Sequence, residues 1–134
     1  MIKGVGVDIV KIKRIESAVD RWGRRFLERV FTREEIASCY GKAEPYASLA
    51  VRFAAKEAVM KASGLAGGKT GEEIRVKISF RDIEIVNRAS GAPAIRKTGR
   101  LEAALAAAGI EDIHLSLSHE KEYGVAMAVA EKAG

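Results

Sequence analysis

Cysteine is almost absent from this sequence, and so are long apolar runs. The single cysteine, Cys39, cannot form an internal disulfide and has no cysteine partners for a zinc site. No run of about 18 apolar residues occurs, so no membrane-spanning helix is predicted. No secretory signal or lipidation motif is found. We therefore expect a cytoplasmic protein without a membrane partner, and the 134 residues fit a single domain over 1–134.

A phosphate-binding loop is also missing, although one run superficially has its composition. Gly67-Gly68-Lys69-Thr70 lacks the first glycine of that motif, since position 63 is serine, and no strand precedes the run. We therefore set this motif aside.

Positive charge is concentrated in the first quarter of the chain. Residues 1–33 hold nine Lys/Arg and four Asp/Glu, whereas residues 34–134 hold fourteen of each, so the net charge of +5 lies entirely in the first segment. Such a field attracts an acidic partner and speeds encounter, although an ordinary solvated helix face would have the same composition. Nucleic acid is disfavoured as the partner, because the segment has few aromatics for stacking and no nucleic-acid motif.

Apolar periodicity predicts an α+β domain in which an antiparallel sheet packs against a long central helix. Alternation over 2–10 puts Asp8 on the same strand face as Gly4 and Gly6, which leaves room for a close neighbour. The segment 46–63 is apolar around most of its circumference, which predicts burial on several sides. The other predicted helices cover 12–22, about 26–30, 33–40 and 99–108, and the other predicted strands cover 74–79, 82–87, a short segment after Pro93, and a hairpin that includes 113–119 and 123–129.

Only two carboxylates stand out as embedded among small or apolar neighbours, Asp8 on the first strand and Glu57 in the middle of the long helix. A buried carboxylate needs a cation or hydrogen-bond donors, and two carboxylates with phosphate oxygens and water form a ligand set that Mg²⁺ favours. Lys61 follows Glu57 by one helical turn and is suited to binding an anion beside such a metal. The alternatives are a Glu–Lys pair on a solvated helix strip and an aspartate that caps the next helix.

His119 ends a predicted strand on its apolar face, directly after Ser118. A lone histidine at such a position is more often structural than functional. A nucleophilic triad is poorly supported, because no cysteine or evident aspartate partner accompanies it. The functional alternative is a hydrogen-bond donor to phosphate.

Three segments resemble, in the same order, those of the holo-acyl-carrier-protein synthases, the short class of phosphopantetheinyl transferases. They are 4–10 (GVGVDIV), 52–62 (RFAAKEAVMKA) and 115–126 (LSLSHEKEYGVA), and the resemblance extends from residue 4 to about 130. It implies a phosphopantetheinyl-transferase-like fold and an enzyme that moves the 4'-phosphopantetheine group of coenzyme A onto a serine of apo acyl carrier protein. The products would be holo carrier protein and adenosine 3',5'-bisphosphate. Whether the carrier serves fatty acid, polyketide or peptide synthesis stays open, and fatty acid biosynthesis is the expectation.

The resemblance also implies roles for individual residues. Mg²⁺ would be held by Asp8 and Glu57 together with pyrophosphate oxygens, and Glu57 and Lys61 would be the catalytic residues. The serine proton would go to Glu57 or to a metal-bound water, and the sequence does not decide between them. The implied coenzyme A set is Arg52, Lys61, Gly64, Gly91, Pro93, Ser118 and His119, with Gly91 and Pro93 in a turn beside the adenine and Ser118 and His119 at the nucleotide end.

The basic segment gains a partner from the same resemblance, because the first helix in this family receives the acidic helix of the carrier protein. Arg14, Arg21 and Arg25 form one stripe if the helix continues past Gly23. Arg24 is the nearest substitute if the helix ends there.

The short class is also similar in forming homotrimers whose active sites lie between neighbouring subunits. By that resemblance, Asp8 and Glu57 would share a subunit. His119 or Arg52 would come from the next one.

Two other functions compete with the transferase. A non-catalytic module that binds coenzyme A and docks acidic proteins would need the phosphate-binding residues but not both carboxylates, and its affinity would not respond to Mg²⁺. A nucleic-acid-binding domain would use the basic segment and show a steep salt dependence. The presence of both Asp8 and Glu57 favours the transferase.

Overall fold

The computed structural model describes residues 1–65 and 78–132. The predicted strand at 74–79 lies mainly outside these residues, and the segment 66–73, which includes Gly67-Gly68-Lys69-Thr70, lies wholly outside them. The other predicted elements are all present. Among the described helices, none combines the length and the apolar composition needed to cross a bilayer. In chain order the elements are β1 (Ile2–Lys11), α1 (Ile12–Trp22), α2 (Arg24–Val30), α3 (Arg33–Tyr40), α4 (Pro45–Ser63), a 3₁₀ turn (Phe80–Asp82), β2 (Ile83–Asn87), β3 (Pro93–Lys97), α5 (Gly99–Ala107), β4 (Ile110–His119) and β5 (Tyr123–Lys132).

The larger sheet has three antiparallel strands, with β5 between β1 and β4. Because side chains alternate along each strand, the pairing register defines two faces. The inner face packs against α4, which confirms the predicted antiparallel sheet against a long central helix. It carries Gly4, Gly6, Asp8 and Val10 of β1, Gly124, Ala126, Ala128 and Ala130 of β5, and Ile113, Leu115, Leu117 and His119 of β4.

α4 lies against β1 at a distance that only glycine permits. A Cβ atom added at Gly4 would stand 2.0 Å from the carbonyl oxygen of Ala62, and one at Gly6 would stand 2.1 Å from that of Ala58. Both obstacles are backbone atoms of the helix, so they cannot move aside as a flexible side chain would. The predicted close approach on the Asp8 face is thus confirmed, and it fixes the height of α4 over β1.

The second sheet, formed by β2 and β3, is tied to α4 by a buried ion pair. Lys56 Nζ lies 2.7 Å from Glu35 Oε1, and neither side chain is exposed. The same ammonium donates to the carbonyl oxygens of Phe80 and Ile83, at 2.8 and 2.6 Å. Glu35 Oε2 accepts from the N–H of Ile85 at 3.0 Å. This network joins α3, α4 and β2 on the flank of α4 that does not face the large sheet.

Local motifs mark the ends of the helices. Thr32 and Glu35 form a capping box at the start of α3. Gly64 ends α4 with a φ of 73°, in the left-handed region that glycine adopts without strain. Gly23, with a φ of 57°, separates α1 from α2.

The outer face of the large sheet is apolar and open. Val5, Val7 and Ile9 of β1 are 55%, 50% and 63% exposed, and Met127 of β5 is 44% exposed. A contiguous exposed apolar surface on a soluble domain is typical of an interaction site.

Candidate functional site

Asp8 reaches the site from the inner face of β1, two residues after Gly6. Its side chain is 17% exposed, and Oδ1 lies 3.2 Å from Nζ of Lys61 on α4. Lys61 also donates to the carbonyl oxygen of Val7 at 3.1 Å. The strand and the helix therefore meet at this carboxylate, and their meeting follows from the close packing at the preceding glycines.

Glu57 stands one turn before Lys61 on α4 and is half-buried. Desolvation by burial raises the pKa of Glu57, and the negative charge of Asp8 raises it further. Lys61 and Arg14 act in the opposite direction. The structure thus brings the two predicted carboxylates into one electrostatic cluster within a single chain. A cation bound at these two carboxylates would offset the repulsion between their charges.

This cluster fits a magnesium ion that is completed by substrate. Within residues 1–65 and 78–132, no group of three or more His, Cys, Asp or Glu side chains converges for a metal. An all-protein cage is therefore not formed by these residues. Two carboxylates suit Mg²⁺ bound by one or two carboxylates plus substrate phosphates.

Two carboxylates of the described residues are more deeply buried than Asp8 and Glu57. Glu35 and Glu84 are 1% and 5% exposed, and they are engaged by Lys56 and Arg96. The expectation that only Asp8 and Glu57 are embedded was therefore wrong. Both buried acids have a cation of the chain itself, as burial of a charge demands.

Arg52 is buried by its own chain. It is 4% exposed, and Nη2 donates to the hydroxyl of Ser38 on α3 at 3.2 Å. The nearby Cys39 is buried, and burial raises the pKa of its thiol to about 11. A thiol of that kind is inert at neutral pH.

Ser118 and His119 point to opposite faces of the large sheet. His119 pairs with Gly124 on the inner face, whereas Ser118 pairs with Val125 on the outer face. Both side chains lie on β4, which is separated from Asp8 on β1 by the whole of β5. Two strand spacings amount to about 10 Å, so one chain does not bring these residues onto the carboxylate cluster.

The turn containing Gly91 and Pro93 borders a cavity between β3 and β4. Gly91 has a φ of 89°, in the left-handed region, and it begins the chain's return into β3. The cavity has a volume of about 390 Å³, and its polar lining comes from Arg88, Lys97, Asp112 and His114. Pro93 is the predicted site residue in its wall, and sequence reasoning missed those four. The alternation of β4 could have placed His114 on the same face as Ser118.

The predicted arginine stripe does not continue past Gly23, because the left-handed φ of this glycine ends α1. Arg14, Arg21, Arg24 and Arg25 are all exposed. Arg24 forms an exposed ion pair with Glu28 at 3.4 Å.

A small basic groove lies where α1 meets α2. It has a volume of about 230 Å³ and is lined by Trp22, Arg25, Phe26 and Arg29. Arg21 stacks on the Trp22 ring at 5.0 Å. Trp22 and Arg29 were missed as site residues, although the 53% exposure of a tryptophan beside arginines is the kind of feature that marks a docking surface.

Comparisons with known proteins agree on one family. The family model described as the 4'-phosphopantetheinyl transferase superfamily matches residues 4–128. The holo-[acyl-carrier-protein] synthase of Halothermothrix orenii is 42% identical over 132 residues, which cover 98% of this chain and 99% of that protein. The crystal structure of the synthase of Neisseria meningitidis matches with a TM-score of 0.84 and 39% identity, covering 98% of this chain and 100% of that one. That of Helicobacter pylori, in complex with coenzyme A, matches with a TM-score of 0.78 and 34% identity, covering 95% and 99%.

Proposed function

Because the chain belongs to the 4'-phosphopantetheinyl transferase superfamily, we propose that it catalyses the reaction for which its nearly full-length relatives are named. It transfers the 4'-phosphopantetheine group of coenzyme A to a serine of apo acyl carrier protein. The serine oxygen forms a bond to the phosphorus that carries pantetheine, and the bond from that phosphorus to the bridging pyrophosphate oxygen breaks. Adenosine 3',5'-bisphosphate leaves, and the serine proton passes to a base. The observation that carries this function is the carboxylate cluster of Asp8 and Glu57 inside a chain of this family.

The chain's own residues divide the work at this centre. The serine proton would pass to Glu57, which lies half-buried at the cluster, or to a metal-bound water. Lys61, half-exposed at the end of α4, can bind a phosphate of the substrate. Gly64 follows, and among the described residues no atom lies within 4 Å of an added Cβ, so these residues leave room for a ligand at its backbone.

Asp8 and Glu57 are the residues that would hold Mg²⁺. When bound, the ion supplies neutralisation of the charge that develops on the pyrophosphate. Positioning and electrostatics do most of the work in phosphoryl transfer, so the chain need not supply a strong base.

The nucleotide end of coenzyme A is assigned to residues away from the cluster. Pro93 lines the cavity between β3 and β4, Gly91 lies in the turn before it, and His119 ends β4. We include Ser118 and Arg52 in this set on the family resemblance. By the family resemblance, His119 or Arg52 would be supplied to this site by a neighbouring subunit.

A homotrimer would supply that neighbour, and the outer face of the large sheet is the surface through which we propose that it forms. Val5, Val7, Ile9 and Met127 are each more than 40% exposed there. Burying such a surface contributes about 25 cal/mol per Å² of apolar area. From the sequence we also propose that residues 1–134 form a single domain and that the protein is cytoplasmic.

The acyl carrier protein would dock on the exposed arginines of α1 and α2. The positive charge of Arg14 lowers the pKa of Glu57, so the arginine surface extends to the carboxylate cluster. Arg21, Arg24 and Arg25 continue it toward the basic groove beside Trp22. An acidic helix fits such a surface, and its encounter rate should fall as salt rises.

Intact-mass measurement on an apo acyl carrier protein tests this function. Incubation with the chain, coenzyme A and Mg²⁺ should add one phosphopantetheine, and chelator should prevent the addition. Glu57→Gln should abolish transfer in a folded protein, whereas Glu102→Gln, which removes an exposed carboxylate on α5, should not. No mass gain with several carriers would contradict the function, and transfer that survives chelation would contradict the role of Mg²⁺ alone.

A further inference from the structure

Lys61 makes two bonds that keep its ammonium group away from solvent on one side. Nζ lies 3.2 Å from Asp8 Oδ1 and 3.1 Å from the carbonyl oxygen of Val7, so the group is held at the end of the strand face. The Lys61 side chain is nevertheless 50% exposed, and Asp8 is 17% exposed. The ion pair is therefore accessible, and its partners can separate without opening the core.

A divalent cation and the Lys61 ammonium need the same carboxylate. Both are positive, and two cations on one carboxylate repel each other at short range. A cation bound by Asp8 and Glu57 thus weakens the ion pair, and the ion pair in turn weakens binding of the cation. A lysine is suited to such an exchange, because its ammonium is a point charge on a flexible four-carbon stem.

We propose that Lys61 competes with the divalent cation for Asp8, so that metal binding releases this lysine to bind a phosphate of coenzyme A. The proposal rests on the metal role assigned above to Asp8 and Glu57. It adds that Lys61 is a coupling residue between two ligands as well as a phosphate ligand. By linkage, the factor by which metal improves the contact of Lys61 with phosphate equals the factor by which that contact improves metal binding.

Metal affinity without coenzyme A gives the first test. The unbound Mn²⁺ signal in electron paramagnetic resonance measures the Kd of Mn²⁺ for the wild type and for Lys61→Gln. Removal of the competitor should tighten Mn²⁺ binding by roughly two- to fivefold, the range for a partly exposed ion pair. A lysine that only binds phosphate would leave the Kd unchanged.

Two matched variants make this result specific. Lys11→Gln removes the same charge from β1, three residues after Asp8, where no ion pair is formed by the described residues. An equal tightening in this variant would reduce the effect to net charge and overturn the proposal. Asp8→Asn should weaken Mn²⁺ binding. If Asp8→Asn does not weaken Mn²⁺ binding, the metal role of Asp8 is wrong. If Asp8→Asn weakens Mn²⁺ binding but Lys61→Gln leaves it unchanged, the metal role stands and only the competition by Lys61 is wrong.

Coenzyme A affinity gives an independent readout. In calorimetry with chelator, Lys61 is held by Asp8, and Lys61→Gln should weaken coenzyme A binding only slightly. With Mg²⁺ present the same substitution should weaken binding by a further factor of roughly two to five, by reciprocity. Equal losses in the two conditions would describe a fixed phosphate ligand and contradict the exchange.

Discussion

The buried ion pair between Lys56 and Glu35 gives the sharpest prediction about stability. All three donors of the Lys56 ammonium are used, one by Glu35 and two by the carbonyl oxygens of Phe80 and Ile83. Burial lowers the pKa of Lys56, and the charge of Glu35 opposes that shift. Each charge is thus tolerated in the core because the other is present.

Lys56→Met fills a similar volume but leaves the Glu35 carboxylate buried without a cation. We expect the free energy of unfolding to fall by about 3–5 kcal/mol, the range for breaking a buried pair on one side. In a domain of this size that loss lowers the Tm by roughly 10–20 °C. The double variant Lys56→Met/Glu35→Met removes both charges, so its loss should be smaller than the sum of the two single losses. It should still be less stable than the wild type, because backbone groups such as the Ile85 N–H lose their partner.

Urea unfolding followed by far-ultraviolet circular dichroism measures these losses. All proteins must be compared at one concentration, since the stability of an assembling chain depends on concentration. Thr32→Ala is the control, because it removes the other half of the capping box and should cost about 1 kcal/mol. A loss below that of the control for Lys56→Met, or strict additivity in the double variant, would refute the reasoning.

Three further predictions follow from the packing, the site and the outer sheet face. Gly6→Ala should destabilise the fold by about 3 kcal/mol or more in urea unfolding, because the new Cβ would lie 2.1 Å from a backbone oxygen of α4. Gly99→Ala is the control: no atom of the described residues lies within 4 Å of its new Cβ, so stability should change by less than about 1 kcal/mol. Burial and a neighbouring carboxylate raise the pKa of Glu57, so its negative charge costs stability above that pKa. Glu57→Gln should therefore raise the Tm at pH 7, and this gain should fade as the pH drops through the raised pKa towards the ordinary pKa of a glutamate. A gain in Tm that does not depend on pH would contradict this prediction. Val7→Asp should convert a trimer to monomers, as measured by light scattering. Tyr40→Asp replaces an exposed aromatic side chain on α3 and should leave the trimer intact. A monomeric wild type would exclude the trimer.

The sequence predicted those parts of the fold that rest on local pattern. Alternation identified β1, β4 and β5, and the glycines at positions 4 and 6 predicted the close approach that the structure has at α4. Ser118 and His119 are adjacent in a strand, so period-two geometry alone separates them onto opposite faces.

Burial on the flanks of α4 could not be predicted in the same way. The helix is apolar around most of its circumference, so the pattern does not say which element covers which side. Lys56 and Glu57 are neighbours in sequence, yet one is fully buried and the other is half-buried at the site. Their difference is decided by α3 and the second sheet, which contact α4 only in the folded chain.

The contacts on the two flanks of α4 have opposite effects on stability, and both are needed to hold the site together. On one side Glu57 is held half-buried near Asp8, and its pKa is raised first by burial and then by the repelling charge of Asp8. On the other side Lys56 is bound to Glu35 and to the second sheet, which fixes the rotation of the helix. With Gly6 fixing its height, α4 cannot turn to separate the carboxylates. The repulsion that costs stability in the free protein is therefore the feature that makes the cluster favourable for a cation, as is common where activity and stability are opposed.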